Sequence, residues 1–176
     1  MKVHFIRHAQ ALERLAGMPD EQRSLTCRGR KRFRKISASL KKMAIDPDLI
    51  LASPKIRAVQ TAEILSETIH FHGEILICPD LADGPNLGII EKILQEWSNA
   101  REIVIIGHEP GLGRVIAELL RLDTPCHLPK GGVVSLKIFL RETGLFADLT
   151  GLITGGGKRF GKGSGAMDQL MKSGRG

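Results

Sequence analysis

Residues 102–120, EIVIIGHEPGLGRVIAELL, decide the fold. Glu102 to Gly107 is a short apolar run with no polar alternation, which a strand covered on both faces requires. Pro110 and Gly111 interrupt it, and Leu112, Val115, Ile116, Leu119 and Leu120 then recur at the 3.6-residue spacing of an amphipathic helix. A buried strand running directly into a helix is the unit of an α/β fold. The same unit appears twice upstream. Lys2 to Arg7 (KVHFIR) predicts a first buried strand, and TCRGRKRFRKISASLKKM from Thr26 predicts a helix with Phe33, Ile36, Leu40 and Met43 on one face. Leu25 and Thr26 offer a hydrophobic staple and an N-cap for that helix. Leu49 to Ser53 predicts a second strand, followed by Pro54 in a first-helical-turn position and by Ala58, Ala62, Leu65 and Ile69 at helical intervals.

Farther out the signals thin. Ile75 to Cys78 suggests a third strand and Gly88 to Trp97 a short helix. Beyond Pro129, VVSLKIFL and LFADLTGLI predict an antiparallel hairpin turning near Glu142 to Gly144. The expected fold class is α/β: a three-layer α/β/α sandwich with a mostly parallel central sheet and an added antiparallel C-terminal hairpin. Two segments are expected, a domain over 1–154 and a flexible Gly/Lys-rich basic tail over 155–176 with little to bury.

Composition fits this architecture. With 176 residues, 42% apolar and 26% charged, the chain can bury one ordinary core. No apolar run reaches the roughly 20 residues of a membrane span. Arg7 breaks the first apolar stretch before it could serve as a signal-peptide core, and Cys27, Cys78 and Cys126 have neither disulfide nor zinc spacing. A cytoplasmic, reducing location is expected, without membrane partners. The net charge of +7 is uneven: residues 1–60 hold 14 Lys/Arg against 5 Asp/Glu, and residues 61–154 hold 7 against 13. The N-terminal third is therefore expected to face an anion. Charge alone would admit nucleic acid, yet no aromatic-interleaved basic platform or nucleic-acid motif accompanies it.

Ligands of open α/β sheets bind beyond the carboxyl ends of the strands. There the first strand ends in Arg7-His8, the second leads within four residues to Arg57, and the fourth ends in Gly107-His108. Arginine holds phosphoryl groups through its planar fork of donors, and a histidine among such groups can be a nucleophile or a charge stabiliser. Taken singly, each of these residues could equally be a structural histidine or a surface cation. Gln10 and Arg28 could line the same rim or be solvated.

FIRHA at residues 5–9, LASPKIRAVQTAEIL at 51–65 and IIGHEPGLG at 105–113 resemble, in order and spacing, the histidine phosphatase superfamily. With the RSLTCRGR segment before the first helix and the later LPKGGVVSL, the chain is similar, from Met1 to about Ile153, to SixA-type phosphohistidine phosphatases within it. The resemblance implies that His8 is the phosphorylated nucleophile, that Arg7 and Arg57 clamp the phosphoryl oxygens, and that His108 stabilises developing charge. In-line transfer needs these parts and no metal or other cofactor. Larger relatives place an acid between the second helix and the fourth strand. Here Asp80 and Asp83 are the candidates, Asp83 preferred, although Asp before Gly84-Pro85 is also ordinary turn chemistry. Glu109 is expected to approach the following helix. The partner implied is a phosphorylated protein carrying phosphohistidine. A small phosphorylated metabolite, turned over by a phosphomonoesterase or a mutase-like transferase of the same superfamily, is the alternative. A non-catalytic phosphate- or nucleic-acid-binding module is the rival from another class.

Other signals are set aside. GGKRFGK at 156–162 mimics a phosphate-binding loop but has Gly163 where Ser or Thr belongs. His70 and His72 lack a third ligand. His4 and Trp97 read as packing residues, and the RGRKRFRK run as a solvated helix face that could attract an acidic partner.

Overall fold

In the computed structural model, which describes residues 1–141 and 144–173, seven strands form one sheet in the order β3-β2-β4-β1-β5-β6-β7. The parallel half comprises β1 (Lys2–Arg7), β2 (Leu49–Ala52), β3 (Ile75–Ile77) and β4 (Glu102–Gly107). β5 (Val133–Arg141) runs antiparallel to β1 and pairs with β6 (Gly144–Ile153), which pairs with β7 (Arg159–Gly161). The expected hairpin is present as β5–β6. Its anticipated turn includes Glu142 and Thr143, which lie outside the described residues.

Helices cover both faces, as the uninterrupted apolar strands demand. Ile6, Ile50, Val104 and Ile106 pack with Phe33, Ile36 and Leu40 of α1 (Cys27–Lys42) and with Ala58, Ala62 and Leu65 of α2 (Ile56–Ile69). The alternate residues Val3, Phe5, Ile103 and Ile105 pack with α3 (Leu87–Glu96), α4 (Gly111–Leu119) and α5 (Ser164–Ser173). Register accounts for the division: successive residues point to opposite faces, so parallel pairing of Val3 with Ile103 and Ile6 with Ile106 sorts the apolar side chains into two cores.

Caps define the helix starts. Thr26 accepts from the Gly29 amide at 2.9 Å, and Asn86 accepts from the Ile89 amide at 3.0 Å. Pro54, expected within the first turn of α2, lies before it. Lys55 is the N-cap, and Ser53 Oγ accepts the Lys55 N–H at 3.3 Å. α2 ends at His70 in the left-handed region (φ 59°), and Lys41 donates to His70 Nε2 at 2.6 Å, tying the ends of α1 and α2. His4 is buried and bonded to Ser135 Oγ at 2.7 Å and Glu102 Oε1 at 2.9 Å, and Trp97 packs against the core. Among the described residues no helix is long and apolar enough to cross a membrane.

The expectation of a flexible tail needs correction. Residues 159–161 extend the sheet along β6, and α5 lays Ala166 and Leu170, each 1% exposed, into the core shared with α3 and α4. The GGKRFGK stretch forms the turn into β7, with Gly157 N–H on the Thr154 carbonyl. Leu170→Ala is therefore expected to cost about 2–5 kcal/mol. Thermal denaturation checks this, and an unchanged Tm would mean that α5 does not dock.

Candidate active site

β1, β4 and β2 lie side by side, and their carboxyl ends release Arg7-His8, His108 and Ser53 onto one rim. Arg57 reaches the same rim from the first turn of α2. His8, Arg57 and His108 are each 5–6% exposed, and the two imidazole rings lie 5.1 Å apart between centroids.

Two hydrogen bonds fix the tautomer of His8. Its Nδ1 lies 2.7 Å from the Ala9 carbonyl oxygen, which can only accept, so Nδ1 carries the proton. Its Nε2 accepts from Arg57 Nε at 3.3 Å, and a guanidinium can only donate. Nε2 is thereby unprotonated, with its lone pair on the Arg57 Nε–H at the rim. Burial lowers the His8 pKa to about 4, opposed by the bond to Ala9 and assisted by the charges of Arg57, Arg7 and Lys130. His108 is depressed to about 3 by burial, then by His8, Arg57 and Lys55, against Asp20. Both rings are neutral near pH 7.

Ser53 orients His108: its Oγ accepts the Lys55 amide at 3.3 Å and is hydrogen-bonded to His108 Nε2 at 2.7 Å. The other ring nitrogen of His108, Nδ1, is buried without a hydrogen-bond partner among the described residues. Arg7 donates from Nη1 to the Leu128 carbonyl at 2.7 Å and contacts His127 Nε2 at 3.1 Å. Its buried Nε is likewise unpartnered among the described residues.

The recurring glycines and polar residues of the three motifs have local reasons. Thr61 accepts the Ala9 amide at 3.0 Å and donates to the Arg57 carbonyl at 2.6 Å, locking the end of β1 to α2. Gln60 accepts the Leu25 amide at 2.8 Å. A Cβ at Gly111 would meet the Gly84 carbonyl carbon at 2.7 Å, and one at Gly113 would meet the Cys126 carbonyl oxygen, so both positions must be glycine. Glu109 approaches α4 as expected. It accepts from Gly113 N–H at 3.3 Å and from Leu128 N–H at 2.7 Å, and so fixes the loop whose Leu128 carbonyl holds Arg7.

Arg7, His8, Arg57 and His108 are thus brought together. Asp83 is not buried with them: its side chain is 99% exposed, 3.6 Å from Lys55 Nζ, on a turn packed over the start of α4. Asp80 pairs with Lys92 at the surface, Gln10 is half-buried and Arg28 is exposed. The residue that the sequence concealed is Asp20. Its carbonyl and Oδ2 accept from Arg57 Nη1 and Nη2 at 2.6 and 2.8 Å, and its carboxylate also contacts Arg14, Arg23 and Lys55. Burial would raise its pKa, but the hydrogen bonds from Arg57 and Arg23 outweigh this and hold it well below the usual carboxylate range. Asp20 therefore stays ionised and anchors the Arg57 guanidinium. An acidic residue inside so basic a segment was its one signal.

The comparisons with known proteins agree with this geometry. Residues 3–102 match the histidine phosphatase superfamily (branch 1). An uncharacterized protein of Picosynechococcus sp. is 32% identical over 142 residues, 78% of this chain and 85% of the relative. The phosphohistidine phosphatase SixA of Escherichia coli (strain K12) is 27% identical over 148 residues, 83% of this chain and 91% of that protein. A solved structure of the protein histidine phosphatase SixA complexed with tungstate superposes with a TM-score of 0.76 at 26% identity, covering 88% of this chain and 97% of that one. The alpha-ribazole phosphatase from Shigella flexneri shares the fold at 18% identity, with a TM-score of 0.64, covering 85% of this chain and 95% of that one. A sequence match across the segments that bear His8 and Arg57, joined to a structural match over 88% of the chain, assigns it: the chain belongs to the histidine phosphatase superfamily and is a SixA-like histidine-type phosphatase.

Proposed function

We propose that this phosphatase hydrolyses protein phosphohistidine through a covalent intermediate on His8 Nε2. The observation that carries the reading is the pair of hydrogen bonds that pins the proton of His8 on Nδ1 and leaves Nε2 unprotonated, its lone pair held by the Arg57 Nε–H until phosphorus takes it. In the first step the Nε2 lone pair forms a bond to phosphorus and the bond to the leaving nitrogen breaks. That nitrogen keeps the electron pair and departs as neutral imidazole if its other ring nitrogen already carries a proton. Phospho-His8 retains its Nδ1–H on the Ala9 carbonyl. Water then attacks phosphorus from the opposite side, the P–Nε2 bond returns its electrons to His8, and phosphate leaves. Arg7, Arg57 and His108 donate to the equatorial oxygens, where charge accumulates. No step needs a metal.

Two features favour a protein over a metabolite. The segment between α2 and β4 supplies only β3, α3 and short turns, with no cap over the rim, so a metabolite's distal parts find few contacts. The exposed Asp83 is poorly placed as a general acid, and phosphohistidine dispenses with one. The three free cysteines are in keeping with action in the cytoplasm.

The test is a substrate panel. We expect kcat/KM to be about tenfold or more higher on a protein phosphohistidine than on phosphoserine, phosphothreonine or phosphosugars, with little loss in Asp83→Asn on the first of these. A phosphosugar preferred by that margin, or Asp83→Asn as damaging as His8→Ala, would replace this reading with a metabolite phosphatase.

A further inference from the structure

A cavity of about 430 Å³ opens beside Arg7, between α1 and the 127–131 segment. Phe33 and Ile36 form an apolar floor, while Arg32 on α1 and Lys130 on the loop contribute cations. Neither Arg32 nor Lys130 has a carboxylate within 4 Å among the described residues. Gly131 keeps the floor open. Its φ is +77°, and a Cβ there would press against Ile36 Cδ1 at 3.2 Å and Phe33 Cδ2 at 3.4 Å. Of this cavity, phosphoryl transfer as derived above uses Arg7 and the Ala9 carbonyl, and leaves Arg32, Phe33 and Ile36 without a role.

The charge does not stop at the cavity. Arg28, Lys31, Arg32 and Lys35 are exposed along α1. From Arg28 to Lys35 the helix rises about 10 Å, so this positive strip, without ion-pair partners among the described residues, outreaches a single small anion. We propose that the cavity and the adjoining face of α1 dock an acidic segment of the substrate protein next to its phosphorylated histidine, with Arg32 as a specificity-determining contact. This rests on the protein-phosphohistidine reading. An apolar floor beneath paired cations suits an apolar side chain flanked by Asp or Glu, and opposite charge across such a rim speeds encounter and selects partners. Lys130 also acts on His8 through its charge, so Arg32, exposed and on a helix, is the position that separates docking from chemistry.

The experiment compares wild type and Arg32→Glu on a phosphohistidine protein and on phosphoramidate, a P–N substrate with nothing to dock. We expect KM on the protein to rise about tenfold with kcat unchanged, phosphoramidate turnover to be unaffected, and the salt dependence of kcat/KM on the protein to flatten. Unchanged protein kinetics, or equal loss on both substrates, would overturn the docking site while wild-type activity on phosphohistidine left the substrate reading standing. A wild-type enzyme inactive on the protein would overturn both. If Arg32→Glu raised KM only for a phosphorylated metabolite, the cavity would be a metabolite subsite and the proposal would fail.

Discussion

His8→Ala is expected to lower kcat by about 10⁴-fold or more, because it removes the group proposed to accept the phosphoryl covalently. Arg7, Arg57 and His108 would still bind phosphate, so the variant should retain affinity for the anion while losing turnover. The fold should survive. His8 stands just past the end of β1, and the substitution sacrifices only its bonds to Ala9 and Arg57. Circular dichroism on the same preparation separates lost chemistry from lost structure. Turnover near that of wild type would remove His8 from the nucleophile's role.

Arg57→Ala and His108→Ala are each expected to lower kcat by on the order of 10²- to 10³-fold, the usual cost of deleting a preorganised donor to developing charge. The Arg57 guanidinium serves three acceptors at once: His8 Nε2, the Asp20 carbonyl and the Asp20 carboxylate. Lysine cannot reproduce that planar fork, so Arg57→Lys should recover little. Steady-state kinetics decides between roles. A rise in KM with kcat unchanged would make either residue a ground-state binder alone.

Much of this architecture is legible because buried strands and amphipathic helices obey short periods. EIVIIG and KVHFIR have no polar face to offer solvent, so they had to be central. Arg7, His8, Arg57 and His108 were legible for the same reason, since each follows a recognisable strand by a few residues. Asp20 was hidden because residues 12–24 have no periodicity. Their place is set by tertiary bonds, such as that from the Leu25 amide to Gln60 and those from Arg57 to Asp20. The C-terminal segment misled for a different reason. Among its many glycines and lysines, α5 commits, among the described residues, only Ala166 and Leu170 fully to the core, too few to outweigh composition. Asp83 looked equally like an acid or a turn residue by type. Its turn, drawn close to α4 by the contact of Gly84 with Gly111, leaves the carboxylate in solvent.

Trapping the covalent phosphohistidine on His8 is the decisive experiment for this mechanism. Rapid quenching of wild-type enzyme during turnover of a phosphorus-labelled substrate should yield protein-bound phosphate that is stable to alkali and labile to acid. Peptide mapping should place it on His8, and His8→Ala should carry none. Turnover without labelled protein, label on another residue, or label that persists in His8→Ala would contradict the account.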